Sequence, residues 1–320
     1  MPLKIALTGA TGFVGRAAVS ALMAKSCQVS ALVRDPARAN LPLEVRQVQG
    51  DLNNSAALDD VTKGADVVIH IAGVIGALRR EDYFFANEQG TKAAAEAASR
   101  NGVKRFVHIS SLAAREPELS TYGASKRAGE MVLENFNNKM SVVVLRPPAV
   151  YGPGDRGTLP LLRSLTQSFA VIPGTGTSRF SLIYVDDLAR IIVDAAGATR
   201  TGVVELDDGQ RQGYGWSELA HIASVCEQKS ITPIFLPKFV AMPVAAIVEA
   251  FARLTGRILF VSPDKIQQLY HGDWVSRGDG WPLKEPVGFA RGFKTTVDWY
   301  RLAQWLPRRR GTSQTQKIVT

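Results

Sequence analysis

A tyrosine and a lysine four residues apart form a pair whose chemistry is informative. The segment Tyr122-Gly-Ala-Ser-Lys126 places both side chains on one face if it is helical. A free tyrosine has a pKa of about 10, which is too high for acid–base catalysis at neutral pH. A neighbouring ammonium favours the phenolate, so we expect Lys126 to lower the pKa of Tyr122 and to make it a general acid or base.

A serine hydroxyl near this pair would complete a catalytic site by polarising a substrate oxygen. The segment Phe106-Val-His-Ile-Ser-Ser111 reads as a strand that ends in two serines just upstream of the tyrosine. Because side chains alternate along a strand, we expect only one of Ser110 and Ser111 to face the site.

A glycine-rich loop follows the first predicted strand, and a predicted helix follows the loop. Its sequence, Thr8-Gly-Ala-Thr-Gly-Phe-Val-Gly15, spaces three glycines as dinucleotide-binding loops do. The first permits the tight turn, the second the approach of a pyrophosphate, and the third the close packing of helix and strand. The helix N-terminus offers N–H groups to the phosphates. The loop residues predicted to contact the cofactor are Gly9, Thr11, Gly12, Phe13 and Val14.

The end of the second predicted strand bears on the choice between NAD and NADP. NAD-binding proteins place an acidic residue there for the ribose hydroxyls, but Val33 occupies that position and Arg34 follows. An arginine binds a 2′-phosphate by charge-assisted hydrogen bonds, so we predict NADP as the cofactor. Asp35 keeps NAD open, since a shift of one residue would bring its carboxylate to the site.

An aspartate after the third predicted strand has two interpretations. In Gly50-Asp51-Leu52, the Asp51 side chain is placed to accept from the adenine amino group. The alternative is that it caps the helix that starts near Asn54.

Short aliphatic runs alternate with longer helical patterns over the first 150 residues. Such alternation predicts βαβ units and hence an α/β, doubly wound parallel sheet of the Rossmann type. Strands are predicted over residues 4–7, 28–33, 43–49, 67–71, 105–109 and 141–146. Helices are predicted over residues 15–25, 54–63, 83–101 and 120–137.

The pattern changes at the turn-rich segment Tyr151-Gly-Pro-Gly-Asp155. We predict a dinucleotide-binding domain over residues 1–150. Residues 151–307 are predicted to be mainly a smaller α/β substrate-binding domain, with the chain returning to the Rossmann part. Residues 308–320 read as a basic, flexible tail.

An apolar segment over residues 239–254 reads as a helix. Because proline is best tolerated in a first turn, the regular helix is expected to begin near Pro243. We expect its apolar face to pack on the rest of the protein, with contact to a membrane surface or a partner as the alternative. The residues of that face are Val240, Val244, Ile247, Val248 and Phe251.

Composition and sequence pattern argue against a secreted, a membrane-spanning and a nucleic-acid-binding protein. The chain has 320 residues, 46% of them hydrophobic, with a net charge of +9 and a pI near 9.7. No signal peptide, no apolar run of about 18 residues and no aromatic–basic motif of nucleic-acid surfaces is found. Cys27 and Cys226 read as reduced thiols of a cytoplasmic protein. We predict no nucleic-acid partner and no metal site.

Taken together, these motifs resemble the extended short-chain dehydrogenase/reductases, which include sugar-nucleotide epimerases and dehydratases and 3β-hydroxysteroid dehydrogenases. The resemblance implies that Ser111 is the catalytic hydroxyl, Tyr122 the acid or base and Lys126 its partner, with Tyr122 and Lys126 also holding the cofactor. Further matching segments are His70-Ile-Ala-Gly73, Asn87-Glu-Gln-Gly-Thr91, Leu145-Arg-Pro-Pro-Ala-Val-Tyr-Gly-Pro153, Arg179–Asp187, and Asp298-Trp-Tyr300.

The same resemblance adds contacts and excludes one reaction. It implies cofactor contacts from Leu52, Ala72 and Pro147. Family dehydratases carry an acidic pair after the catalytic hydroxyl, whereas Leu112 and Ala113 stand here, which argues against sugar dehydration.

Three functions follow. The first is an NADP(H)-dependent oxidoreductase that interconverts a hydroxyl and a ketone on a small, rather apolar substrate. The second is an NAD-dependent sugar-nucleotide epimerase, in which Arg179 would bind the substrate's pyrophosphate beside Ser111. The third is a non-catalytic NADPH-binding protein associated with a membrane complex. By analogy with the family, a homodimer would pair helices that include the one carrying Tyr122.

Overall fold

The computed structural model describes residues 2–255 and 262–307. The strands are β1 Lys4–Thr8, β2 Gln28–Val33, β3 Arg46–Gln49, β4 Val67–His70, β5 Arg105–Ile109, β6 Ser141–Arg146, β7 Ala149–Tyr151, β8 Phe169–Pro173, β9 Arg179–Phe180, β10 Leu182–Tyr184, β11 Gly202–Glu205, β12 Tyr214–Gly215, β13 Thr232–Leu236 and β14 Asp273–Trp274. The tail predicted over residues 308–320 lies outside the described residues.

The helices alternate with the strands of the first half and follow less regularly after it. They are α1 Phe13–Ala24, α2 Pro36–Ala39, α3 Ser55–Thr62, α4 Arg80–Phe84, α5 Gly90–Arg100, α6 Thr121–Glu134, α7 Leu159–Ser164, α8 Val185–Gly197, α9 Trp216–Glu227, α10 Lys238–Thr255, α11 Pro263–Leu269 and α12 Phe289–Leu302. A π-helical turn spans Phe85–Gln89, and 3₁₀ turns span Leu112–Arg115 and Pro117–Leu119.

Seven parallel strands form the main sheet, in the order β3-β2-β1-β4-β5-β6-β11. The order reverses between β1 and β4, and in such sheets ligands bind in the crevice beyond the carboxyl ends of the strands at this point. The α/β, doubly wound Rossmann fold predicted from the sequence is confirmed.

Each face of the sheet is covered by helices. One face packs Leu7 and Ile69 against Leu22 of α1 and Ile191 of α8. On the other face of the sheet, Phe106 and the strand residues around it pack against α3, α5 and α6. Burial on both faces explains why the strands read as nearly continuous aliphatic runs.

The second half of the chain supplies three small sheets and another core, around Tyr151, Trp216, Phe293 and Tyr300. The chain also returns to the main sheet, because β11 pairs with β6 and α8 packs on α1. A boundary at residue 150 between two domains stays a prediction.

One predicted strand and one predicted helix of the first half differ from the structure. The strand predicted from residue 43 begins at Arg46, since the turn at residues 43–44 precedes it. The helix predicted over residues 83–101 is divided into α4, the π-helical turn and α5. Such π turns inside α-helices are frequent at functional sites, and this one carries Asn87.

Helix α10 departs from the sequence prediction at its start and in its orientation. It begins at Lys238, not near Pro243, because Val240 and Ala241 donate their N–H groups to the carbonyl of Pro237 and so close a first turn. The face expected to pack inward points outward, with Val244 and Ile247 exposed. Among the described residues, none of the helices combines the length and the apolar character that a membrane crossing requires.

Two stacked histidines lie in the sheet at the same register of β4 and β5. The rings of His70 and His108 are 5.4 Å apart and fully buried. His70 Nδ1 contacts the hydroxyl of Thr8 at 2.8 Å, and Nε2 contacts that of Thr91 at 3.1 Å. Neither ring nitrogen of His108 has a hydrogen-bond partner within the part of the chain that the structure describes.

Burial dictates that both histidines are neutral. Burial, together with the positive charge of Lys126, lowers the pKa of His70 to about 3 and that of His108 well below 6.5. The unfolded chain takes up protons at these histidines near pH 6.5 and the folded chain does not, so stability is lost as the pH falls from about 6.5 towards 3.

We therefore expect the free energy of unfolding to fall between pH 7.5 and pH 5.5 by about 1.4 kcal/mol for each of the two histidines. Urea unfolding at the two pH values measures this. His108→Leu should remove one histidine's share of the difference, whereas His221→Gln, at an exposed site of α9, should not. An equal difference in wild type and His108→Leu would contradict the assignment.

Candidate active site

The glycine loop lies between β1 and α1 at the carboxyl edge of the main sheet. Gly9 has a φ of +79°, and a Cβ there would lie 2.6 Å from the N atom of Ala72. A Cβ on Gly15 would lie 2.0 Å from the carbonyl oxygen of Gly9. Neither position therefore admits a side chain, and the loop is held against the segment after β4.

The start of α1 is open to an anionic ligand. No side chain caps it, and the N-cap residue Gly12 is exposed. The free N–H groups and the positive end of the dipole of α1 therefore point to the crevice between β1 and β4, where the strand order reverses. A loop that excludes Cβ atoms beside an uncapped helix start fits the pyrophosphate of a dinucleotide.

The other predicted cofactor residues surround this crevice. Thr11 is exposed in the loop, and Phe13 and Val14 form the half-buried first turn of α1. Ala72 follows β4 and donates its N–H to the hydroxyl of Thr8 at 3.3 Å. Pro147 is buried after β6, and its carbonyl accepts from the N–H of Leu112 at 2.8 Å. Their contacts with a cofactor stay predictions.

The region predicted for the adenosine ribose is rich in arginine. Arg34 is exposed directly after β2. The carboxylate of Asp35 caps α2 by accepting from the N–H of Ala37 at 3.1 Å, and it pairs with Arg38 at 3.4 Å. Asp35, which kept NAD open in the sequence analysis, is thus occupied by contacts of its own.

The loop after β3 shows that the alternative role of Asp51, as the cap of the next helix, is wrong. The helix α3 is capped by Asn54, which accepts from the N–H of Ala57 at 3.0 Å, and not by Asp51. The Asp51 side chain instead accepts from the N–H of Asn53 at 2.9 Å. Leu52 packs against Gly90, where a Cβ would lie 2.5 Å from the leucine side chain.

The first turns of α6 carry the tyrosine and the lysine on one face. Ser120 caps this helix by accepting from the N–H of Gly123 at 2.9 Å. The hydroxyl of Tyr122 is hydrogen-bonded to Ser111. Ser110 turns the other way and donates to the buried carboxylate of Glu130. The structure therefore brings Ser111, and not Ser110, to the tyrosine.

The pKa of Tyr122 differs from the expectation. Burial raises it above the usual value of 10, the hydrogen bond with Ser111 lowers it in part, and the nearby Tyr83 raises it further. The expectation that Lys126 lowers this pKa is wrong for this structure, because Lys126 is not among the groups that shift it and burial outweighs the hydrogen bond with Ser111. Tyr122 is accordingly a protonated phenol at neutral pH. It lacks the downward shift of pKa that general acid–base catalysis favours, but it can still protonate an alkoxide, which is a far stronger base than a phenolate.

Lys126 is buried beneath the tyrosine. Its Nζ donates to the carbonyl of Ile109 at the end of β5, at 2.7 Å. Burial lowers its pKa to about 8, and the carboxylate of Glu130 opposes that shift. The ammonium is therefore retained near neutral pH.

Asn87 fixes the wall opposite α6. Its amide forms two hydrogen bonds with the backbone of Val74, at 2.9 and 3.0 Å, and a third with the hydroxyl of Ser125 at 2.9 Å. A Cβ on Gly73 would lie 2.6 Å from the Asn87 side-chain oxygen and 3.8 Å from Lys126 Nζ. The asparagine thus holds the segment after β4 close to Lys126.

Glu130, which lies one helical turn after Lys126, was not predicted from the sequence as a residue of the site. Its carboxylate accepts from Arg146 at 2.8 and 2.6 Å and from Arg127 at 3.1 Å, in addition to Ser110. The spacing of four residues from Lys126, and an arginine that ends the next strand, were the signals that could have revealed it.

Arg179 lies outside this cluster of contacts. Its guanidinium donates to the carbonyls of Gln212 and Gly213, each at 2.7 Å, and lies 3.6 Å from Glu218. Binding a substrate would require it to exchange these contacts, and that role stays a prediction. No group of three or more potential metal-ligating side chains occurs in residues 2–255 and 262–307.

Comparison with known proteins identifies the family to which this chain is similar. The model of the NAD dependent epimerase/dehydratase family matches residues 5–205. A ceramide reductase of Caulobacter vibrioides is 42% identical over 95% of this chain and 96% of its own. The N-acetyl-α-D-glucosaminyl-diphospho-ditrans,octacis-undecaprenol 4-epimerase of Escherichia coli O157:H7 is 25% identical over 83% and 85%.

Solved structures share the fold. A UDP-glucuronic acid 4-epimerase from Bacillus cereus, in complex with NAD, superposes with a TM-score of 0.68. It is 22% identical, and the match covers 94% of this chain and 99% of that one.

We expect the two serines to differ in catalysis. Ser111→Ala should lower kcat about 10- to 100-fold and Tyr122→Phe by about 100-fold or more, because both touch the reacting oxygen. Ser110→Ala should retain most of kcat, and both serine variants should bind NADPH as wild type does. Steady-state kinetics with a reducible ketone, and fluorescence titration of NADPH, measure this. A larger loss in Ser110→Ala than in Ser111→Ala would contradict the geometry.

Proposed function

Because the chain belongs to the NAD dependent epimerase/dehydratase family and is an NAD(P)-dependent enzyme, we propose that it reduces a ketone to a secondary alcohol on a long-chain lipid of the ceramide class. The observation that carries the proposal is the 42% identity, over nearly the whole of both chains, to a ceramide reductase. We further propose NADPH as the hydride donor.

The contacts of the site suit reduction of a carbonyl. A ketone that gains hydride at carbon needs a proton at oxygen, and the raised pKa of Tyr122 keeps that proton available at neutral pH. Ser111, hydrogen-bonded to the tyrosine, is placed to donate to the same oxygen. A bound nicotinamide would supply the hydride.

Lys126 serves this donor in two ways. Its ammonium, held by the carbonyl of Ile109, places a positive charge beside the oxygen on which negative charge develops. The same group is within reach of a ribose hydroxyl of a cofactor in the crevice, as the resemblance to the family implies. The segment after Ser111 carries no acid, since Leu112 is buried and Ala113 follows, so elimination of water has no catalyst there.

The preference for NADPH is supported by the charges after β2. Arg34 is exposed, and the neighbouring carboxylate of Asp35 is engaged by the start of α2 and by Arg38. The 2′-phosphate of NADPH would meet the positive charge of Arg34 there. The ribose hydroxyls of NAD need a carboxylate, but residue 33 is a valine and the carboxylate of Asp35 already has other partners.

The sugar-nucleotide epimerase is the contrasting reaction, because it uses the same kind of triad without net oxidation of the cofactor. The solved structures with UDP-sugars share the fold of this chain at 21–24% identity and support no more than that. The contacts of Arg179 with backbone carbonyls speak against it as a site for a pyrophosphate.

The test is oxidation of NADPH with a ceramide whose secondary hydroxyl has been oxidised to a ketone, dispersed in detergent. We expect turnover with NADPH and a lower kcat/KM with NADH. Arg34→Ala should raise the KM for NADPH about 10- to 100-fold, because charge-assisted hydrogen bonds to the 2′-phosphate are lost, and should leave that for NADH nearly unchanged.

The control substitution is Arg163→Ala, at an exposed site of α7, which should change neither KM. Equal use of both cofactors in wild type, unaffected by Arg34→Ala, would remove the proposed 2′-phosphate site. No oxidation with the ketone, but interconversion of UDP-glucose and UDP-galactose, would replace the reductase by the epimerase.

A further inference from the structure

Helix α10 carries its large apolar side chains on the side that faces away from the protein. We define the outer stripe as Val240, Val244, Ile247, Phe251 and Leu254. Their spacing of three and four residues places them on one face of the helix. All five are exposed, Ile247 by 70%, Phe251 by 53% and Leu254 by 86%.

The opposite face of α10 packs on the protein mainly through small residues, and Met242 and Val248 are half-buried beside them. Ala241, Ala245 and Ala252 are buried, and the first two contact Ile266 of α11. The helix is thus amphipathic in the reverse sense to a surface helix of a soluble protein, whose large apolar residues face the core. A contiguous exposed apolar stripe of this kind marks an interaction surface.

This surface lies close to the catalytic residues. The helix α11, on which α10 packs, holds the start of α6, because the Asp264 carboxylate accepts from the N–H of Thr121 at 2.9 Å. Gln268 of the same helix donates to the capping serine, Ser120. Helix α11 therefore links α10 to the start of the helix that carries Tyr122.

The charges of α10 favour an anionic neighbour. Lys238 is exposed at its first position, and Arg253 gives the helix sequence one more basic than acidic residue. The chain as a whole carries a net charge of +9. Glu249 is the one acidic residue of the helix, and it lies half-buried off the outer stripe. Basic side chains that flank an apolar face are the features by which helices bind at the interface of anionic bilayers.

We propose that the outer stripe of α10 docks the enzyme on the surface of an anionic lipid bilayer, with the helix lying in the plane of the headgroups. The helix is about 27 Å long at 1.5 Å per residue, and its alanine face stays packed on the protein, so it lies on the bilayer and does not enter it end-on. The inference rests on the proposed function in one respect, namely that the substrate is a lipid present in such a bilayer.

The experiment is flotation of the purified full-length protein with vesicles, without ketone or cofactor. One set of vesicles contains phosphatidylcholine alone, and the other contains phosphatidylcholine and phosphatidylglycerol in equal amounts. The test variant is Ile247→Glu/Phe251→Glu. The matched control is Val225→Glu/Leu302→Glu, on α9 and α12, at sites that are exposed by 67% and 84%. Thermal unfolding and NADPH titration check that each variant is folded.

We expect wild type to bind the anionic vesicles more strongly than the neutral ones and to lose binding as salt increases. The test variant should lose at least tenfold in partitioning, and the control should retain it. Equal binding of wild type and test variant, or no binding of wild type to either vesicle, would overturn the proposal. So would a wild-type dimer that the test variant converts to a monomer without vesicle binding, since a second copy would then cover the stripe.

These outcomes are separate from those of the proposed function. Reduction of the ketone in detergent, together with no vesicle binding, would leave the reductase standing and remove the docking surface. Vesicle binding through the stripe, together with no reduction of any ketone, would do the reverse.

Discussion

The carboxylate of Glu130 is buried on the inner face of α6, and four contacts hold it there. It accepts from both nitrogens of Arg146 that face it, from Arg127 and from the hydroxyl of Ser110. A buried carboxylate is costly unless it is paired, and removal of one partner of such a pair typically costs about 3–5 kcal/mol. The rotation of α6 about its axis is therefore fixed by the end of β6.

The positions of the catalytic groups follow from that constraint. Lys126 lies one turn before Glu130, so its ammonium is directed to the carbonyl at the end of β5. Ser110 is drawn towards the carboxylate, and its neighbour Ser111, on the other side of the strand, is left to meet Tyr122. Arg146, which binds Glu130, also lies 3.6 Å from Glu205 at the end of β11.

The network also joins the sheet to the second half of the chain. Glu205 pairs with Arg115 at 3.2 Å, and this arginine donates to the carbonyls of Asp273 and Val275 at 2.7 and 2.8 Å. The backbone N–H of Arg277 donates to the same glutamate at 2.7 Å. The segment around β14 is thereby tied to the end of the strand that returns to the main sheet. Helix α6, which carries Tyr122 and Lys126, and the segment around β14 are thus held by one set of charges.

What could be predicted from the sequence was local. The glycine spacing depends on contacts within one βα turn, such as the approach of Gly15 to Gly9, and the tyrosine and lysine depend on one helical period. The fold class followed from the alternation of strands and helices. These are properties of short segments, which is why they can be recognised from the sequence; the fold class is confirmed, and the roles of the site residues stay predictions.

What could not be predicted depended on residues far apart in the chain. The pKa of Tyr122 is governed by burial, which spacing does not reveal. The choice between the two serines depends on Glu130, 20 residues away from Ser110. The periodicity of α10 found an apolar face but not the side to which it points, because the alanines that pack it are small enough to be overlooked. The π turn that carries Asn87 has no signal in an otherwise regular helical pattern.

The central claim is that a protonated Tyr122, held by Ser111 and Lys126, donates to a ketone that receives hydride from a nicotinamide cofactor. The most direct measurement uses NADPH deuterated at C4 of its nicotinamide, each C4 position labelled in turn, and the ketone of a ceramide, with mass spectrometry of the product. One of the two labels should appear at the carbon that bears the new hydroxyl, with one deuterium for each NADPH oxidised. An alcohol formed without deuterium from either label, or cofactor that stays unoxidised while a sugar nucleotide is epimerised, would contradict it.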